Sequence, residues 1–272
     1  SVCVYDLLSS DAVASRGVDE AVAAGAGGGG GGGGEEASTP AFDRAGYWKH
    51  LIAVACGSEL LARAHPSLKI VPEEAFLAGL LHGVGRLVLD HVLPKSYDKV
   101  VRLAERRGCA SAAVERPLIG LDHHTAGRRV AEHWGLPEPV RDVVWLHGQS
   151  VSGVPETADR ALLALVNCAR GLCRLLHLGW SGDFGPPPDL DGLWSDMGVR
   201  ARAVEEFAEP LHAAVADRLG TLGLEEATQP ALLAESLANA NRELARLNES
   251  LRERAALGEG HLRAVAERWP KL

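Results

Sequence analysis

The sequence predicts an all-α fold: a helical bundle followed by a long C-terminal helix. Three observations carry that prediction. Apolar residues recur at spacings of three and four in segment after segment, and no segment sustains an alternation of period two. Helix punctuation recurs as well, with prolines and acids where periodic segments begin and glycines or prolines where they end. From Gln229 onward, Leu233, Leu237, Ala240, Leu244, Leu247 and Leu251 alternate steps of four and three, which is a heptad seam.

Taken in order, residues 1–24 give a short apolar helix around Val2 to Leu8 and a second weak helical pattern. Residues 25–40 form a flexible linker, because the glycine run Gly27 to Gly34 loses too much backbone entropy on ordering to hold regular structure. A phosphate-cradling loop is excluded there, since no Lys-Ser/Thr follows the glycines and no strand precedes them. Residues 41–225 form the main domain. Its first helix spans Ala41 to Ala64, with Tyr47, Leu51, Val54, Ala55, Ser58 and Leu61 as the inner stripe and His50 beside it. Pro72-Glu73-Glu74 opens a helix that carries His82 and runs to about Val92, and small Ala78 and Gly79 allow another helix to approach closely.

An amphipathic helix follows Pro94 and closes at Gly108, and a short one presents Glu115, expected to pair with an arginine such as Arg128 or with backbone. Asp122 caps a helix from His123 to Trp134. Pro137 starts another that reaches His147, and residues 148–159 are a loop. The apolar run around Leu162 to Leu175 is a central helix, and Val199 to Leu219 is one more. Residues 229–269 form the C-terminal helix. Trp48, Trp134 and Trp145 are expected in the core. His65, His91, His133, His177, His212 and His261 are expected at surfaces or helix ends.

The net charge of −8 argues against a nucleic-acid surface, and Arg102, Arg106 and Arg107 read as a solvated helix face. The cysteines, five and without a C-x-x-C pair, read as small buried hydrophobes in a reducing cytoplasm. No single apolar run reaches the roughly 18 residues of a membrane span.

The segment "GLLHGVGRL" resembles the "GLLHDIGKL" signature of the HD superfamily of metal-dependent phosphohydrolases. "GLDHHTAGRRVAEHWGLPEPVRDVVWLHG" is similar to the second signature of its HDOD branch, the HD-related output domain of bacterial signalling proteins. Trp48 with His50, Glu115, Gly120 to Gly127, Trp134 to Pro137 and His147 fall in that branch's order, so the resemblance spans roughly residues 42–180. It implies an HD-like bundle preceded by an N-terminal helical half, of which only residues 1–24 are expected here. It also makes His50, His82, His123 and His147 the counterparts of metal ligands.

Against that pattern Gly83 stands where the acid of the His-Asp pair belongs, and Arg86 replaces the lysine. The cyclic di-GMP phosphodiesterase branch continues after the last histidine with a second histidine and acids; here the chain reads "HGQSVSGVPE". Neutral imidazoles suit Zn²⁺ or another borderline metal, whereas hydrolysis with Mg²⁺ or Mn²⁺ needs carboxylates. The reading is therefore a non-catalytic cytoplasmic signalling module with no obligatory cofactor. Its partners are signalling proteins, a downstream output domain, or a second copy joined through Leu233, Leu237, Leu244, Leu247 and Leu251, with no nucleic acid and no membrane span. The alternatives are an active HD phosphohydrolase acting on a nucleotide or cyclic dinucleotide, and a nucleotide-binding regulator without hydrolysis.

Overall fold

The computed structural model describes residues 40–222 and 228–268, without the side chains of residues 250 and 253–268. The expected N-terminal remnant and nearly all of the glycine linker lie outside the described residues. Among the described residues every regular element is helical, as the periodicity requires. The α-helices are α1 (Arg44–Ala64), α2 (Pro72–Leu81), α3 (Val84–Val92), α4 (Pro94–Arg107), α5 (Ala112–Ile119) and α6 (His123–His133). They continue with α7 (Glu138–Leu146), α8 (Arg160–Leu175), α9 (Leu190–Asp196), α10 (Glu205–Thr221) and α11 (Gln229–Arg268).

Among the described residues, aspartate caps define four of the eleven α-helix starts. Asp43, Asp122, Asp159 and Asp189 accept from the backbone N–H groups of Gly46, Thr125, Leu162 and Gly192, satisfying donors that have no partner within the helix. Gly108 and Gly120 end α4 and α5 in the left-handed conformation.

Two helices organise the core. The stripe of α1 is buried as expected, and α8 buries nearly its whole length from Leu162 to Cys173. One apolar cluster joins Val54 and Leu61 of α1 to Val143, Leu163, Val166, Trp194 and Leu211. A second joins Tyr47 and Leu51 to Phe42, Leu89, Tyr97, Val100 and Ile119. Two close helix approaches rest on glycine. A Cβ at Gly79 would sit 2.9 Å from Ala55 Cα, so α2 lies directly on α1. A Cβ at Gly85 would collide with the His123 carbonyl and lie 2.8 Å from Gly127 N, so α3 and α6 meet backbone to backbone.

Several expectations are corrected. The helix expected from Pro72 to Val92 is two helices, broken at His82 and Gly83. The Gly83 carbonyl is engaged there by the Tyr47 hydroxyl at 3.0 Å. By length and composition alone the stretch Pro72–Val92 could cross a membrane, but it is broken in two and 56% of its window is buried inside the protein, as in a core helix. Helix α9 went unforeseen, and α10 begins at Glu205 instead of Val199. Trp48 (48% exposed) and Trp134 (55%) are not core residues, and Trp194 fills that role. His212 is buried, bonding the Ala208 carbonyl and Ser236. Cys56, Cys168 and Cys173 are buried and Cys109 is half-buried.

The backbone contact at Gly85 carries a prediction. Gly85→Ala should destabilise the fold by about 1–3 kcal/mol or more, the usual cost of overpacking, read in urea unfolding. Gly153→Ala, with nothing within 4 Å of the new methyl, should leave the midpoint unchanged. Equal midpoints for the two would contradict the close-crossing account.

Candidate functional site

Three helix ends and the interior of α1 deliver histidines to one place. His50 comes from α1, His82 ends α2, His123 opens α6 and His147 ends α7. All are buried. The ring of His82 lies 6.2 Å from that of His50 and 5.1 Å from that of His147, and His147 lies 5.4 Å from His123. The expected quartet is thus brought together as a row of neighbouring rings.

The structure adds a member that sequence reasoning missed. His124 lies 4.0 Å from His123 and 4.4 Å from His147, ring to ring. His123, His124 and His147 offer ring nitrogens all within 4.8 Å of one another. Successive residues do not normally share a helix face. These two open α6, directly after its Asp122 cap; the doubled histidine behind a capping aspartate was the available signal.

Backbone and side-chain acceptors fix the tautomers. His50, His82 and His147 donate from Nδ1 to the carbonyls of Leu178 (3.2 Å), Gly79 (2.6 Å) and Val144 (3.0 Å). A carbonyl only accepts, so Nδ1 carries the proton and Nε2 keeps its lone pair. His123 donates from both its backbone N and Nδ1 to Glu115 Oε2, each at 2.7 Å, and Tyr97 donates to Oε1 at 3.0 Å. Of the two partners expected for Glu115 the backbone is found, in the N–H of His123, whereas Arg128 pairs with Glu132.

Burial holds the imidazoles neutral. It is the largest cause of a downward shift in all five, to about 3 for His50 and about 4 for His124, and well below the ordinary value for His82, His123 and His147. Nearby Arg86 and Arg170 push in the same direction. Arg86 is itself buried and donates to the Ser181 carbonyl at 2.6 Å. Arg170 pairs with Asp183 at 2.8 Å, and Arg174 reaches the same carboxylate at 3.5 Å.

The family model of the HDOD domain matches residues 11–150, just over half of the chain. The chain belongs to the HDOD family. The match begins ahead of the expected 42–180 span and ends before it. An uncharacterized protein of Treponema pallidum (strain Nichols) is 25% identical over 104 residues, 38% of this chain and 18% of that protein. An HDOD domain protein of unknown function from Geobacter sulfurreducens is similar in structure, with a TM-score of 0.49 and 24% identity over 76% of this chain. A Marinobacter aquaeolei protein described provisionally as a signal transduction protein gives a TM-score of 0.51 at 22% identity, covering 71% of this chain and 39% of that one. The chain spans 18% of the Treponema protein's length and 63% of the Geobacter chain's.

This HDOD chain does not fit a hard divalent ion. The cluster offers nitrogens, and the one carboxylate bonded to it, Glu115, is saturated by Tyr97 and His123. At Gly83 an added Cβ would collide with the Tyr47 hydroxyl and lie 2.9 Å from Leu51 Cδ2, so there is no room for the acid of an HD pair. The His123–His124–His147 set suits a borderline metal by donor type alone.

Neutral buried histidines predict acid lability. Unfolded imidazoles titrate near 6.5, and these folded ones titrate lower. Their contribution to stability is therefore complete above about pH 6.5 and is lost as pH falls toward the folded values, by up to about 1.4 kcal/mol per pH unit for each ring. Urea unfolding between pH 7.5 and 4.5 should show this decline, shallower in His124→Gln. A flat profile would contradict burial of the rings in neutral form.

Proposed function

We propose that this HDOD protein is a non-catalytic cytoplasmic regulatory module acting through contacts with signalling proteins. The packing at Gly83 carries the reading. Hydrolysis on an HD core needs a metal-bound water, and a hard ion needs acids for charge balance. Here the phenol of Tyr47 fills the acid's place, and burial pushes its own pKa up to about 12, so it supplies no charge near neutral pH. The site has been rebuilt around the loss.

The C-terminal helix supports the second half of the reading. It docks on the body through Leu232, Ser236 and Asn239, the last donating to the His177 carbonyl at 3.0 Å. Glu235 pairs with Lys49 and Glu243 with His177 on the same side. The leucine seam is left outside, with Leu237 at 66% and Leu251 at 61% exposure. An apolar heptad stripe facing away from its own domain fits a second copy of the helix. Domain 41–225 would then be the body and 229–269 the dimerising arm.

Two measurements test this. Purified protein assayed with Mn²⁺ on generic phosphodiesters should show no turnover. Turnover that disappears in His82→Ala would restore the alternative, a metal-dependent phosphohydrolase acting on a nucleotide or cyclic dinucleotide. For the arm, Leu237→Lys with Leu244→Lys should convert a dimer to a monomer in sedimentation. An unchanged mass would remove the coiled coil from the account.

A further inference from the structure

A cavity of about 520 Å³ opens beside the histidine cluster, and its lining carries three arginines and three aspartates. Arg86, Arg170 and Arg174 line it together with His123, His124 and His147. The three guanidinium groups come from two helices and stand deep in the protein: Arg86 is 4% exposed, and the side chains of Arg170 and Arg174 are 19% and 12% exposed.

At ion-pair distance their compensation is incomplete, although Glu115 and Asp183 favour the charge of Arg86 from further away. Asp183 serves both Arg170 and Arg174. Arg86 meets a backbone carbonyl, and among the described residues it has no carboxylate at ion-pair distance. The other acids on the lining are engaged elsewhere. Asp189 caps the N–H of Gly192, and Asp196 accepts from Ser150 Oγ and Val151 N. Glu115, behind His123, is saturated. Buried cations without full compensation are costly unless a partner completes them.

Two further features face the same space. Nδ1 of His124 is buried and has no hydrogen-bond partner. Gly148 takes a left-handed φ of 79°, and a Cβ there would lie 3.3 Å from Arg170 Nη1. Asn167 holds that turn open, accepting from Gly148 N at 2.7 Å and donating to the Gln149 carbonyl at 2.9 Å.

We infer that this cavity is a binding site for the phosphate group of a small phosphorylated molecule, held without a metal. Guanidinium groups from α3 and α8 offer N–H donors from more than one direction, which suits a tetrahedral dianion better than a planar carboxylate. The imidazoles and the unpartnered Nδ1 of His124 add hydrogen bonds, and the volume exceeds what phosphate alone fills, leaving room for the rest of the molecule. The inference goes beyond the regulatory reading and does not rest on it.

The test uses the full chain in calorimetric titration and thermal unfolding, with inorganic phosphate, adenosine monophosphate and glucose 6-phosphate as probes. Sodium chloride at matched ionic strength is the control for screening. Saturable binding is expected for at least one phosphomonoester, more tightly than for inorganic phosphate. Arg86→Gln should weaken it by about ten-fold or more, the loss of one charged hydrogen-bonding partner. His124→Gln, which breaks no bond within the protein, serves as the second variant should Arg86→Gln fail to fold, and should also weaken binding. No saturable response to any probe, or unchanged affinity in the folded variants, overturns the site. So does stoichiometric Zn²⁺ binding that excludes phosphate, is lost in His124→Gln and survives Arg86→Gln, because it would assign the wall to a cation.

Discussion

The hydrogen bond from the buried Tyr47 hydroxyl to the Gly83 carbonyl is the constraint on which the rest of the site depends. It spans 36 residues of sequence and joins the central helix to the break between α2 and α3. The Gly83 carbonyl also accepts from Arg86 N at 3.1 Å, and the buried phenol finds its acceptor at the same oxygen. A Cβ at residue 83 would collide with the Tyr47 hydroxyl and crowd Leu51 Cδ2, so this packing favours glycine there.

Electrostatics follow from that packing. With no acid at 83, the nearby carboxylates include Glu115, bonded to His123, and Asp183, paired with arginines, and burial keeps the imidazoles neutral. Arginines occupy the surroundings instead. Asp183, which burial alone would raise, is held well below the usual carboxylate range by Arg170, Arg86 and Arg174. The ring nitrogens thus lie beside three arginines, with Glu115 committed to holding His123 in place.

Part of this was legible in the chain: the stripe of α1 follows the helical period, and the four histidines were identified through the resemblance to the HD and HDOD signatures. Other features depend on contacts between distant residues. Nothing local marks the break at Gly83, because Tyr47 stabilises it from another helix. His124 was not among the expected ligands, and adjacent residues rarely converge, yet the first turn of α6 brings both rings together. Arg86 was legible as a substitution, but its burial against the Ser181 carbonyl depends on a loop almost a hundred residues away. The tryptophans misled through size: large rings favour burial on average, but Trp48 and Trp134 lie on outer faces. The heptad seam was visible, whereas the polar face by which α11 docks was not, since Ser236, Asn239 and Glu243 carry no apolar signature.

The central claim is that this histidine framework no longer holds a hard divalent ion. Electron paramagnetic resonance of Mn²⁺ titrated into the full-length, metal-free chain tests it most directly. The account predicts that the signal of free aqueous Mn²⁺ rises in proportion to the metal added, from the first addition onward. Stoichiometric loss of that signal, restored in His82→Ala, would contradict it.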